Sequence, residues 1–114
     1  MHISERTVGD VVIVEVSGKV TLGDGGDVVL KDKMQSLVQQ GRKKVLLNLA
    51  DVSYVDSAGL GEIVQSYATV MKNGGALKLL NVTKRLKDLL SITKLLTVFE
   101  CFDSEAEAIT SVPA

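Results

Sequence analysis

Apolar residues fall into two rhythms along this chain. Val11 to Val14 is a continuous apolar run, and Val12, Val14 and Val16 alternate with Ile13, Glu15 and Ser17. Alternation with period two predicts a strand, fairly buried in its first half. Gly9-Asp10 lies between Val8 and Val11 and suits a tight turn, because glycine accepts positive φ; an N-terminal β-hairpin is therefore predicted. Gly18 to Gly26 holds four glycines and is predicted to be a loop. From about Asp27 to Gln40 the rhythm changes. Leu30, Met34, Leu37 and Val38 recur at helical spacing, and Gly41 follows as a natural C-terminal cap.

The strand-then-helix order then repeats. Val45-Leu46-Leu47-Asn48-Leu49 is a nearly continuous apolar run of strand length, as expected for a parallel strand covered on both faces. After Asp56, the residues Leu60, Ile63, Val64, Tyr67, Ala68 and Met71 mark the apolar face of a second helix, ended by Gly74-Gly75. Ala76 to Leu80 reads as a strand, Leu86, Leu89 and Leu90 as the stripe of a short helix, and Thr97 to Phe102 as a last strand. Ser104-Glu105-Ala106-Glu107 has capping-box spacing for a final helix. The prediction is an α/β fold: an N-terminal β-hairpin leading into a mixed, largely parallel four- to five-stranded sheet packed with about four helices. The only proline is Pro113 and no Gly/Ser-rich linker occurs, so residues 1–114 are expected to form one domain.

Charge and composition narrow the function classes. Thirteen Lys and Arg against fourteen Asp and Glu give a net charge of −1, which supplies no global field for nucleic acid or an anionic membrane. Tyr54, Tyr67, Phe99 and Phe102 are the only aromatics, too few for a base-stacking platform. No apolar stretch is long enough to span a bilayer, and Met1 to Arg6 lacks the apolar core of a secretion signal. Cys101 is the single cysteine, which excludes an internal disulfide and fits a cytoplasmic setting.

One segment departs from core-and-turn logic: Val55-Asp56-Ser57-Ala58-Gly59-Leu60-Gly61-Glu62. Two glycines in the first turn of a helix cost roughly 1 kcal/mol each relative to alanine. A sequence accepts that cost where the backbone turns sharply or is closely approached. Asp56 and Ser57 are both good N-cap residues, and free N–H groups at a helix start favour an anion. Residue chemistry alone therefore assigns an exposed Ser57 hydroxyl at a loop-to-helix junction, with a capping role for either residue.

The stretch Val45-Leu-Leu-Asn-Leu-Ala-Asp-Val-Ser-Tyr-Val-Asp-Ser-Ala-Gly-Leu-Gly61 resembles the signature of the STAS domain, in particular of bacterial anti-sigma factor antagonists. The similarity extends to Val16-Ser17-Gly18, Gly74-Gly75, Thr83-Lys84-Arg85-Leu86 and the Leu95 to Phe99 segment. The resemblance implies a non-enzymatic regulator of transcription without cofactor or metal. Its Ser57, preceded by Asp56, would be phosphorylated by a serine kinase that doubles as the anti-sigma factor. The unphosphorylated form would bind that kinase and free a sigma factor, and a serine phosphatase would reset this partner switch. Asp56, Ser57, Ala58, Gly59, Leu60, Gly61 and Glu62 are the implied partner-binding residues. Two departures stand out. Ala58 replaces the second hydroxyl residue common after the acceptor, leaving Ser57 alone. Gly18 to Asp27 differs from the Gly-Glu-Leu-Asp loop of relatives, which leaves the partner's identity open.

Rival chemistries fit less well. Gly59 sits at +2 from Ser57 as in a nucleophile elbow, but Val55 stands where that motif has glycine. His2, the only histidine, lies at a terminus expected to be mobile and offers no base. No Gly-x-x-x-x-Gly-Lys-Ser/Thr occurs, and Gly59-Leu60-Gly61 lacks the third glycine of a dinucleotide fingerprint. Asp24 and Asp27 miss calcium-loop spacing. Arg42-Lys43-Lys44 and Lys84-Arg85 with Lys87 are expected to be solvated surface, and Cys101 to be core. The alternative within the same fold is a scaffold or a transporter-associated subunit not controlled by phosphorylation.

Overall fold

The computed structural model describes residues 2–21 and 26–112. The elements are β1 (His2–Val8), β2 (Val11–Val20), α1 (Gly26–Gln39), β3 (Lys44–Val55), α2 (Ser57–Lys72), β4 (Ala76–Leu80), α3 (Lys84–Ile92), β5 (Cys101–Phe102) and α4 (Glu105–Ser111). They build one mixed sheet in the order β1-β2-β3-β4-β5. β1 pairs antiparallel with β2 across a two-residue turn at Gly9-Asp10, with Val8 opposite Val11 and Gly9 at φ +62°. The remaining neighbours pair in parallel. This is the mixed α/β architecture predicted from the alternation of rhythms.

The two faces of the sheet bury two cores. Val12, Val14 and Val16 of β2 join Val45, Leu47 and Leu49 of β3 beneath α1, α2 and α3. The intervening Val11 and Ile13, with Leu46 and Leu80, pack on the other face against Ala108 and Val112 from the α4 segment. Burial on both faces explains why these strands read as continuous apolar runs. At ~25 cal/mol per Å2 of apolar area, this packing rather than helix propensity holds the short helices in place.

Four expectations need correction. β2 does not end at Gly18: it continues to Val20, with Gly18 at φ +84° and irregular register on either side, so positive φ marks a bulged strand rather than a loop. Gly26 already belongs to α1, and Leu22 to Gly25, including Asp24 of the calcium idea, lie outside the described residues, as does the side chain of Asp27. β3 runs six residues past its apolar stretch. β4 stops at Leu80, opposite Asn48, and from Asp51 onward β3 is held by β2 alone. The polar–apolar alternation of Asp51 to Tyr54 is too short to mark this extension by itself, and main-chain pairing with β2 completes it. The predicted last strand shrinks to Cys101–Phe102, because Leu95 to Phe99 form turns that press Phe99 edge-on against Tyr67, 5.1 Å between ring centres. Finally, α2 buries Ser66 and Val70 and leaves Ala68 and Met71 exposed. Ser66 is tolerated inside because its hydroxyl donates to the Glu62 carbonyl at 2.8 Å.

The edge strand β1 is tied down by charge. Lys33 of α1 and Arg42 both donate to the Glu5 carboxylate, the latter at 3.0 Å, and Arg42 also reaches Thr7. Arg6 bridges Glu15 of β2 and Glu105 of α4. Lys44 pairs with Asp10 in the turn. Arg42 and Lys44 are thus fasteners of the hairpin rather than idle surface charge. Hydrogen bonding from Lys33 holds the Glu5 carboxyl below its ordinary value, and the Arg6 guanidinium does the same for Glu105. A lowered folded-state pKa adds stability above the unfolded value and forfeits it as pH falls through the folded one. Below about pH 4.3, the ordinary glutamate value, β1 should therefore loosen before the central strands. Amide exchange of β1 should accelerate below that pH, and Glu5→Gln with Glu105→Gln should make its pH dependence shallower. An unchanged acid profile in the double variant would refute the assignment.

Candidate functional site at the start of the second helix

The site begins where β3 leaves the sheet. Asp56 has extended backbone (φ −92°, ψ −178°) and is the N-cap of α2: its Oδ1 accepts the Gly59 N–H at 2.7 Å, and its carbonyl accepts the Leu60 N–H at 2.8 Å. Its own N–H donates to the carbonyl of Val20, the last residue of β2, at 3.3 Å. The junction is thereby fastened to the neighbouring strand. Of the two capping candidates, the structure selects Asp56.

Ser57 is consequently released from capping. It is the first residue of α2 and is exposed, and its hydroxyl makes no hydrogen bond among the described residues. β2, β3 and β4 run parallel, so the helices that follow them start at the same end of the sheet. The unpaired N–H groups and the dipole at the start of α2 favour negative charge there.

The two glycines of the motif have different causes. A Cβ on Gly59 would lie 1.8 Å from the Val20 carbonyl oxygen and 2.7 Å from its carbon. No side chain fits, because the first turn of α2 rests directly on the end of β2. Around Gly61 a Cβ would meet nothing within 4 Å. Leu60 is only 7% exposed and belongs to the main core. Among the seven residues expected to bind a partner, Gly59 and Leu60 therefore face the fold and position the helix. Ser57 and Gly61 are exposed, while Asp56, Ala58 and Glu62 are half-buried.

Other candidates fall away from this centre. His2 is part of β1, opposite Ser17, and not at a loose end. Two strand spacings, about 10 Å laterally, lie between β1 and β3, and Ser17 pairs with Asp51, six residues before Ser57. Cys101 is half-buried in β5, where burial pushes its thiol up. No helix is long and apolar enough to cross a membrane among the described residues. What the sequence reading missed is an apolar groove of about 290 Å3 between the end of β3 and α3, lined by Val52, Tyr54, Val55, Leu86, Leu89 and Ile92. The available signal was Ile92, three residues after Leu89, which extends the helix stripe beyond what the core covers.

The contrast between the glycines is measurable. Gly59→Ala should destabilise the fold by about 1–3 kcal/mol through overpacking. Gly61→Ala should stabilise it by about 0.5–1 kcal/mol. Asp56→Ala should cost about 1 kcal/mol through the lost cap. Urea denaturation of the three variants checks this, and equal effects at Gly59 and Gly61 would contradict the packing argument.

Comparison with known proteins places this geometry in a family. Residues 2–108 match the STAS domain. The chain is 43% identical over 72 residues to the anti-sigma-B factor antagonist of Bacillus subtilis, a match covering 63% of this chain and 65% of that protein. It is 31% identical over 107 residues to a Thermotoga neapolitana protein named as an anti-sigma factor antagonist homologue, covering 94% of each. The crystal structure of a Thermotoga maritima protein described in the same terms superposes with a TM-score of 0.87 at 26% identity, over 96% of this chain and 93% of that one. A match across nearly the whole length, on a sheet whose β3–α2 junction displays the Asp-Ser-x-Gly-Leu-Gly segment, shows that the chain belongs to the STAS domain family.

Proposed function

We propose that the protein is a cytoplasmic, non-enzymatic anti-sigma factor antagonist switched by phosphorylation of Ser57. The unphosphorylated form binds a serine kinase that is also the anti-sigma factor, and so frees a sigma factor. Phosphorylation releases the kinase, and a serine phosphatase restores the binding form. The observation that carries this reading is the exposed Ser57 hydroxyl, left without a capping duty by Asp56, on a helix start held rigidly by Gly59. The names of its relatives as anti-sigma factor antagonists support it.

Magnitudes decide where the phosphate acts. Phosphoserine adds about 1.5 to 2 negative charges at neutral pH. At a helix N-terminus the dipole favours an anion by ~0.3–1 kcal/mol, so α2 stays folded. Against a partner's carboxylate the same charge costs several kcal/mol, and each ~1.4 kcal/mol is tenfold in affinity. The interface effect dominates.

Incubation with ATP and the kinase encoded in the same gene neighbourhood should add one phosphoryl group, mapped to Ser57 and absent in Ser57→Ala. Ser57→Asp should weaken kinase binding at least tenfold while leaving the thermal midpoint nearly unchanged. Equal binding by wild type and Ser57→Asp would sink the switch. A chain that is never phosphorylated, yet co-purifies with transporter or scaffold subunits, would favour the unregulated alternative.

A further inference from the structure

We propose that the groove between the end of β3 and α3 is a second docking surface, taking an acidic segment of the kinase partner that carries an apolar anchor residue; this rests on the switch reading above. Three observations converge on that occupant.

The first is shape. Val52 and Leu86 form a buried floor, while Tyr54 and Ile92 stand at the sides, 45% and 78% exposed. An isoleucine so uncovered beside a concave apolar surface is unfinished packing. The volume, about 290 Å3, lies at or below the low end for small-molecule pockets and suits one or two inserted side chains.

The second is charge. Residues 84–94 carry Lys84, Arg85, Lys87 and Lys94 against the single acid Asp88, in a protein of net charge −1. Lys87 is 3.9 Å from Asp103, but Lys84, Arg85 and Lys94 form no ion pair among the described residues. Lys84 and Arg85 moreover occupy the first turn of α3, where the helix dipole disfavours cations. The chain derives no stability from placing them there. A carboxylate-bearing partner would relieve that repulsion; Arg85 and Asp88 both line the groove, so its net positive charge comes from Lys84 and Lys94 around it.

The third is position. Val55 lines the groove and stands two residues before Ser57, so the groove begins beside the motif in the chain. A segment in the groove would hold the kinase beside its acceptor hydroxyl and supply affinity that does not depend on the serine's state. The apolar floor and the single exposed tyrosine favour a peptide over nucleic acid or lipid.

The test is calorimetry of the full chain with the neighbouring kinase at low and high salt. Ile92→Asp and the pair Lys84→Glu/Arg85→Glu should each weaken binding at least tenfold, and the charge pair should also flatten the salt dependence. Because acids suit a helix N-terminus, Lys84→Glu/Arg85→Glu should raise the thermal midpoint slightly, which separates lost docking from lost folding. Full binding by both variants, with Ser57→Asp still impaired, overturns the groove and leaves the switch standing. Absence of wild-type kinase binding overturns both. Binding of duplex DNA or phosphatidylglycerol vesicles that the charge pair abolishes, with kinase binding intact, assigns the surface to another partner and overturns the proposal.

Discussion

The arrangement depends on one close approach: the first turn of α2 resting on the carbonyl of Val20. Gly59 has no Cβ to hold it away, and Asp56 donates its N–H to that same carbonyl while its carboxylate caps the helix. Strand end, helix start and motif are thereby locked in one geometry. Moving Gly59 outward would lift Leu60 and Ile63 from the main core, so the contact transmits into the packing of the whole helix. The exposed serine is a by-product of that lock, since the aspartate before it already satisfies the cap.

The sheet divides stability between its middle and its edge. Val12 to Val14 of β2 and their partners Val45 to Leu47 of β3 are buried on both faces of the sheet, which gives the first half of that pairing a dry environment. β1 lacks that cover, and only Ile3 contributes to a core. It is held instead by a two-residue turn and by charges on both sides. Exposed ion pairs of this kind are worth at most about 1 kcal/mol each. The hairpin is therefore the part of the sheet whose fastening responds most directly to pH and salt.

Legibility in the sequence followed the physics that set each feature. Elements fixed by apolar periodicity, such as α1 and β4, were readable because burial selects the residues directly. The end of β3 was harder to read: Asp51 to Tyr54 alternates polar with apolar residues over four positions only, and its ladder is supplied by distant β2. Gly18 misled, since a glycine required by positive φ in a bulged strand has the same letter as one in a loop. At the motif, the serine's exposure and the anion-friendly helix start could be anticipated from capping chemistry. The different reasons for Gly59 and Gly61 could not, because the cause of the first is the carbonyl of Val20, thirty-nine positions away. Arg42 and Lys44 looked like solvent-facing charge for the same reason: their partners Glu5, Thr7 and Asp10 are distant in sequence.

The rigidity of the junction constrains what a modification there can do. A charge placed on a flexible loop can be accommodated by moving the loop away from a partner. Ser57 has little such freedom, because the residue before it is hydrogen-bonded to Val20 and the glycine two positions after it is packed against the same carbonyl. Added charge must then remain where the hydroxyl was, directed outward, and its energetic consequence falls on whatever approaches. A fold that needed to reorganise would blunt such a signal by spending part of it internally; this one delivers it almost whole to the surface. The neighbouring α3 surface carries the opposite charge, so the two patches present an approaching protein with separate electrostatic demands. The proposed phosphoryl group would change the demand at Ser57 and leave the one at α3 as it is.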